Sequence, residues 1–175
     1  MATVYIPIRV VSMQMASNPG NVYWKKITMA GTGYEYQLPA MKMDVDSHIY
    51  GKVLIPYNVK TLADGGINPV IALYWLTTAT SGNWRVQISF NASTVGANIN
   101  DLSFNAITLQ TPGVSGFVRD IRITEFTLTM GPPNGVSPDA AASELFLDLY
   151  RNGANAGDTV QQDIELLDWY YSCSI

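Results

Sequence analysis

The sequence predicts an all-β protein, an antiparallel β-sandwich with about eight to ten strands and little helix. Two observations carry this prediction. Apolar and polar residues alternate with a period of two, as in residues 84–90, where tryptophan, valine, isoleucine and phenylalanine occupy every second position. Clusters of glycine, asparagine, proline and serine separate such runs. The alternation predicts strands with one buried face, and the spacing, roughly 8 to 15 residues, favours a sandwich of the jelly-roll type.

The last two strands are predicted over residues 144–152 and 158–174. Three leucines of the first run share one side of an extended chain, and the second run is longer and richer in aromatic residues. Residues 153–157 contain two glycines that supply turn conformations, so the two strands are expected to form a terminal hairpin. Residues 167–171 depart from strict alternation, which indicates a bulge.

Eight further strands are expected, each an alternating or apolar run between turn residues. They are residues 3–11, 22–29, 34–38, 47–57, 70–78, 84–91, 104–109 and 117–128. The second and third of these are expected to form a hairpin, and the fifth and sixth a pair. Pro7 places the first strand at a sheet edge, because proline has no N–H for a ladder. Residues 138–143 are expected to form a helical turn at most.

Composition narrows the function classes. The chain has 175 residues, of which 47% are hydrophobic, so residues 1–175 are expected to form a single domain. Only 14% are charged, the net charge is −4, and no basic block is present, so no direct nucleic-acid partner is expected. The one cysteine makes no internal disulfide, so stability must come from packing or oligomerisation. No signal peptide and no transmembrane segment are recognisable, and no membrane partner is expected.

One constellation could bind a metal. Asp44, Asp46 and His48 are spaced two residues apart, so on a strand all three would project from one face. His48 is the only histidine, whereas catalytic metal sites normally add a second one, so neither a metal nor another cofactor is expected. The alternatives are a solvated face and a trimer axis that gathers three copies. No catalytic residues are assigned, and the protein is not expected to be an enzyme.

The large aromatic residues have two interpretations. Each tryptophan is embedded in an alternating apolar run, which favours core or subunit contacts over stacking platforms for sugars. The residues expected at such contacts are Trp24, Trp75, Trp84, Trp169 and Tyr171.

Two stretches resemble a known class of protein. They are LYRNG at residues 149–153, followed by GDT at 157–159 and a closing aromatic strand, and LYW at 73–75, followed by TSGNWRV at 80–86. In these motifs, which span about the second half of the chain, the sequence resembles jelly-roll structural proteins of tailed bacteriophages. The resemblance implies a virion component, either a capsid decoration or cement protein or a module of a tail appendage. It also implies a homotrimer, and no catalytic residues.

Two functions are therefore expected from the sequence. The first is a virion structural protein that decorates the capsid and acts through contacts with its own copies and with other virion proteins, such as the major capsid protein. The alternative is a glycan- or receptor-binding module of a phage tail appendage that uses exposed tryptophans and polar loops. Exposure of the tryptophan side chains separates the two.

Overall fold

Our computed structural model of the chain describes residues 2–13, 21–28, 31–56, 58–59, 66–93, 105–106, 109–114, 116–128 and 144–175. This part of the chain contains eleven strands, and none of it is a helix with the length and hydropathy of a transmembrane segment. The strands are β1 (Thr3–Pro7), β2 (Arg9–Met13), β3 (Val22–Thr28), β4 (Glu35–Met41), β5 (Asp46–Leu54), β6 (Val70–Thr77), β7 (Val86–Ser93), β8 (Asn105–Ala106), β9 (Arg122–Thr127), β10 (Glu144–Asn152) and β11 (Ile164–Ser174). The helical turn expected at residues 138–143 lies outside the described residues.

Two antiparallel sheets form the sandwich. Sheet A has the order β3-β4-β11-β6-β9, with β1 also paired to β11, and sheet B has the order β2-β5-β10-β7-β8. Consecutive strands pass repeatedly from one sheet to the other, which is the connectivity of a jelly roll. The predicted fold class is confirmed, with one strand more than the upper end of the expected range.

Two predicted pairings are wrong. The strands of the expected terminal hairpin, β10 and β11, lie in different sheets, and so do β6 and β7. A strand in either sheet buries one face, so the same alternation fits both sheets and does not reveal which one a strand joins. The connection over residues 153–163 crosses between the sheets instead of turning within one. The β3–β4 hairpin is confirmed, with Val22 opposite Met41 and Thr28 opposite Glu35.

The strand predicted over residues 3–11 is two strands in different sheets. Ile8, between β1 and β2, is buried, and its N–H donates to the Trp169 carbonyl at 3.0 Å. Pro7 ends β1 opposite Tyr170. The Ala2–Ile175 and Ile8–Trp169 hydrogen bonds place Pro7 at a non-hydrogen-bonded position of the ladder, so its missing N–H removes no bond to β11. After Ile8 the chain continues in sheet B.

The strand predicted over residues 117–128 is also shorter than expected. Residues before β9 form a turn in which the Phe117 N–H donates to Asp120 Oδ2 at 3.1 Å. The Arg119 N–H donates to the Thr77 carbonyl at 2.8 Å, and Arg119 has a positive φ of 60°. This turn leaves the apolar side chains of Phe117 and Val118 exposed.

The core lies between the inner faces of the two sheets. Its largest fully buried side chains include Trp75, Trp84, Trp169, Arg151 and Tyr171. Gly51 of β5 lies under the Trp169 indole, where an added Cβ would come within 2.1 Å of the ring. The indole therefore requires glycine at that inner position.

A buried ion pair fixes the connection between β10 and β11. The Arg151 guanidinium donates from Nε and Nη2 to the two carboxylate oxygens of Asp158, each at 2.9 Å. Its remaining hydrogen bonds go to the carbonyls of Met41, Val160 and Gln162. Because both charges are paired and the guanidinium is bonded on all sides, the buried arginine is compatible with the core.

Candidate functional site

A groove crosses the outer face of sheet A. Its described lining residues are Tyr5 of β1, Ala72 and Tyr74 of β6, and Leu167, Asp168 and Tyr170 of β11. Its volume is about 410 Å³. That volume falls within the range of small-molecule sites, roughly 300 to 1,000 Å³.

A β-bulge in β11 shapes the groove. Leu166 and Asp168 pair with neighbouring residues of β6, so Leu167 has no partner on that strand. Leu166 and Trp169 are both buried in the core, and the bulge directs Leu167 and Asp168 together toward the groove. The irregularity predicted at residues 167–171 is confirmed.

Three tyrosines supply the aromatic lining. The rings of Tyr74 and Tyr170 meet edge to face, with centroids 5.6 Å apart and planes at 84°. Ala72 lies opposite Tyr170 on β11 and two residues before Tyr74. Its small, buried side chain forms part of the groove lining beside the two rings. Tyr5 contributes the third ring and is 70% exposed.

Asp168 is the ionisable carboxyl in the groove. Its Oδ2 accepts a hydrogen bond from the Tyr170 hydroxyl at 2.6 Å, and its Oδ1 accepts one from the Trp169 N–H at 2.8 Å. The hydrogen bond to Asp168 raises the pKa of Tyr170, so that phenol stays a protonated donor. The carboxylate is thus held in place and keeps further lone pairs for a ligand.

The neighbouring part of the same face is covered. β4 pairs with β11 only at Ile164 and Glu165, and beyond them the β3–β4 hairpin leaves the ladder. Outer side chains of that hairpin, Ile27 and Leu38, pack against Leu76 of β6 in a second small apolar cluster. The groove therefore lies beside the packed β3–β4 hairpin and not on a fully uncovered sheet face.

A buried carboxylate lies within this covered part. Glu165 is fully buried, and its Oε1 lies 2.7 Å from the Lys25 ammonium, off the angle of a directional hydrogen bond, so the contact is an ion pair. The Arg119 guanidinium is 4.0 Å away. Lys25 also lies 3.5 Å from Asp163, which accepts a hydrogen bond from the Tyr23 hydroxyl. Burial, and then Asp163, raises the pKa of Tyr23.

The outer face of sheet B is arranged differently. The His48 ring stacks on Tyr150, with centroids 4.6 Å apart and planes at 22°, and lies parallel to Tyr50 at 6.0 Å. His48 Nδ1 is 2.9 and 3.0 Å from the two oxygens of Asp148. Burial and a hydrogen bond to Asp46 raise the pKa of Tyr150 to about 12. The rings on this face cover one another.

The structure separates the three residues that the sequence offered as candidate metal ligands. Asp44 lies in the turn before β5 with a positive φ of 59°, so it does not share the strand face expected for it. Asp46 and His48 do share the outer face of β5, but His48 is paired with Asp148. Within the described ranges, no three His, Cys, Asp or Glu side chains are grouped as metal ligands.

The tryptophans divide into two groups. Trp75, Trp84 and Trp169 are buried in the core, as is Tyr171. Trp24 is 52% exposed on the edge strand β3. Sugar stacking through several tryptophans, as the sequence alternative required, is therefore not available in this structure.

The groove residues were missed in the sequence because they look like core residues. Tyr74 stands beside Trp75, and Tyr170 stands between Trp169 and Tyr171, so both belong to almost continuous apolar runs. Such runs predict strands buried on both faces. The signal available in the sequence was the departure from alternation at residues 167–171, which indicates a bulge and a local change in the direction of side chains.

No protein-family model matches the chain, and no curated protein sequence matches it. Among solved structures it is similar to a family 30 carbohydrate-binding module of a cellulosomal cellulase of Clostridium thermocellum, with 15% identity, a TM-score of 0.48 and coverage of 99% of this chain and 98% of that one. It is also similar to a family 11 carbohydrate-binding module from Clostridium thermocellum in complex with a mixed-linked tetrasaccharide, with 12% identity, a TM-score of 0.44 and coverage of 96% and 95%.

Proposed function

We propose that this protein is a glycan-binding module and that the groove on sheet A is its binding site. The observation that carries the proposal is the combination of three tyrosine rings with one anchored carboxylate, Asp168, in an open cleft of about 410 Å³. A mostly apolar cleft with a few convergent polar groups is the usual form of a small-molecule site.

The chemistry of the lining suits a sugar. A pyranose ring has apolar C–H faces and polar edges, so it packs on tyrosine rings, which combine an apolar body with a polar tip. Hydrogen bonds from sugar hydroxyls to an ionised carboxylate are stronger than those to neutral acceptors. Asp168 is fixed by two protein donors, so it needs little reordering when a ligand arrives.

Titration calorimetry with soluble polysaccharides tests this proposal. A suitable panel contains mixed-linked β-glucan, galactomannan, galactan and hydroxyethylcellulose. We expect wild-type protein to bind at least one of them, and Tyr74→Ala to weaken that binding about 30-fold, as for the loss of a central aromatic anchor.

The matched control is Tyr50→Ala, which removes a tyrosine from the outer face of sheet B. It should leave the affinity unchanged. An equal loss in both variants, or no binding of any glycan by the wild type, would contradict the proposal.

A second candidate function is the virion structural role. The observation that favours it is a group of apolar side chains exposed around the turn before β9: Phe117 at 79%, Val118, Ile121 and Ile123. Grouped exposed apolar residues are typical of partner contacts. In this function the chain would assemble as a trimer on other virion proteins. Sedimentation at micromolar concentration is expected to show an oligomer that Phe117→Ser dissociates, and a monomeric wild type would exclude self-assembly.

A further inference from the structure

We infer that the groove selects neutral glycans and rejects anionic ones, such as polyuronates and sulfated polysaccharides. This inference rests on the proposed function and names the class of ligand at that site. It follows from the charges around the groove and from the balance of hydrogen-bond donors and acceptors within it.

The described lining contains one ionised group, the carboxylate of Asp168, and no basic side chain. Three basic residues of sheet A and of the turn before β9 are engaged elsewhere. Lys25 and Arg119 face the buried Glu165, and Arg122 donates to the carbonyls of Asp120 and Phe117. A carboxylate or sulfate in the groove would meet a like charge and no counter-charge.

The hydrogen-bond inventory leads to the same class of ligand. Asp168 carries about four lone-pair sites, and two of them accept from Tyr170 and from the Trp169 N–H. The Tyr170 hydroxyl has its proton committed to Asp168, so toward a ligand it is an acceptor. A ligand in this part of the groove must therefore supply hydrogen-bond donors. Neutral sugars present hydroxyl donors in adjacent pairs, whereas carboxylates and sulfates present acceptors only.

The test compares two derivatives of one polymer. Each polysaccharide of the panel is prepared as a hydroxyethyl ether and as a carboxymethyl ether with the same degree of substitution, so that only the charge differs. We expect wild-type protein to bind the hydroxyethyl form at least about fivefold more tightly at low salt. That ratio corresponds to the repulsion of two unit charges about 4 Å apart in water. The ratio should shrink as salt is added.

Asp168→Asn identifies the source of the discrimination. It keeps the shape of the side chain, removes its charge and replaces one acceptor with a donor. We expect weaker binding of the hydroxyethyl form and a ratio between the two derivatives close to one. A melting temperature near that of the wild type verifies that the variant is folded.

The outcomes separate the two proposals. Equal or tighter binding of the carboxymethyl form by the wild type, or a ratio that persists in Asp168→Asn, would overturn the assignment to neutral glycans and leave glycan binding standing. If no derivative binds, the proposed function fails and this inference fails with it.

Discussion

The outer faces of the two sheets carry the same arrangement of four residues with one difference. On each face a tyrosine lies opposite an aspartate, and two residues away a second position lies opposite another tyrosine. On sheet A, Tyr74 lies opposite Asp168 and Ala72 lies opposite Tyr170. On sheet B, Tyr50 lies opposite Asp148 and His48 lies opposite Tyr150. The difference is alanine on sheet A where sheet B has histidine.

This residue and the bulge in β11, which has no counterpart in the described pairing of β10, distinguish the two faces. On sheet B the imidazole of His48 fills the space between the two tyrosines, stacks on Tyr150 and bonds to Asp148. On sheet A the equivalent position carries only the methyl group of Ala72, and the rings of Tyr74 and Tyr170 meet edge to face and line the groove. The two similar sets of residues thus form a closed aromatic stack on sheet B and line a cleft on sheet A.

The outer face of each sheet also carries a lysine–glutamate pair. We expect the largest loss of stability when the pair on sheet A is broken. Lys25→Met leaves the fully buried Glu165 with only Arg119, 4.0 Å away, so the free energy of unfolding should fall by about 3 kcal/mol. Lys52→Met should cost less than about 1 kcal/mol, because its partner Glu144 is partly exposed. Urea unfolding of both variants measures the difference.

A rescue variant sharpens this comparison. Replacing both Lys25 with Met and Glu165 with Leu removes the uncompensated buried charge, so most of the lost stability should return. If Lys25→Met and Lys52→Met destabilise equally, the covered part of sheet A is more hydrated than the structure indicates.

The alanine–histidine difference can be tested by exchanging the two residue types between the sheets. Ala72→His should place an imidazole in the groove beside Tyr74 and Tyr170 and weaken glycan binding about 30-fold in calorimetry, comparable to the loss of an anchor residue. Ala72→Ser, which stays small, is the control. Binding that survives Ala72→His would place the ligand elsewhere. The reciprocal His48→Ala should leave the groove's affinity intact.

The smallest expected effect is on stability at alkaline pH, through the phenol of Tyr150 in its stack with His48. The pKa of Tyr150 is raised to about 12 from an ordinary value of 10.0. Between these values the unfolded chain has lost a proton that the folded chain retains, so stability falls as pH rises from about 10 to about 12. Tyr150→Phe should reduce this slope, measured as the urea midpoint at successive pH values. Identical slopes in variant and wild type would exclude the contribution of this phenol.

Sequence periodicity predicted where most strands lie but not how they are arranged. In residues 84–90 every second side chain points inward, as expected, because alternation reports burial directly. Alternation is identical in the two sheets, which is why β10 and β11 were paired incorrectly. Sheet membership depends on connections such as residues 153–163, whose path is fixed by the Arg151–Asp158 pair.

The candidate site was less predictable than the fold. Asp46 and His48 were placed correctly on one face, but the partner of His48 is Asp148, which is 100 residues away in sequence. Pairing between distant strands leaves no local pattern in the sequence. The groove likewise joins residues of three strands, and only the bulge near Leu167 was visible beforehand.

The pairing of β1 with β11 has a consequence for protein engineering. Ala2 and Ile175 exchange two backbone hydrogen bonds, at 3.3 and 3.0 Å, so their Cα atoms lie about 5.5 Å apart, as in any such antiparallel pair. A linker of two or three residues spans that distance. A circular permutant joined there and opened at the exposed turn of Gly31 and Thr32 would keep every described strand pair.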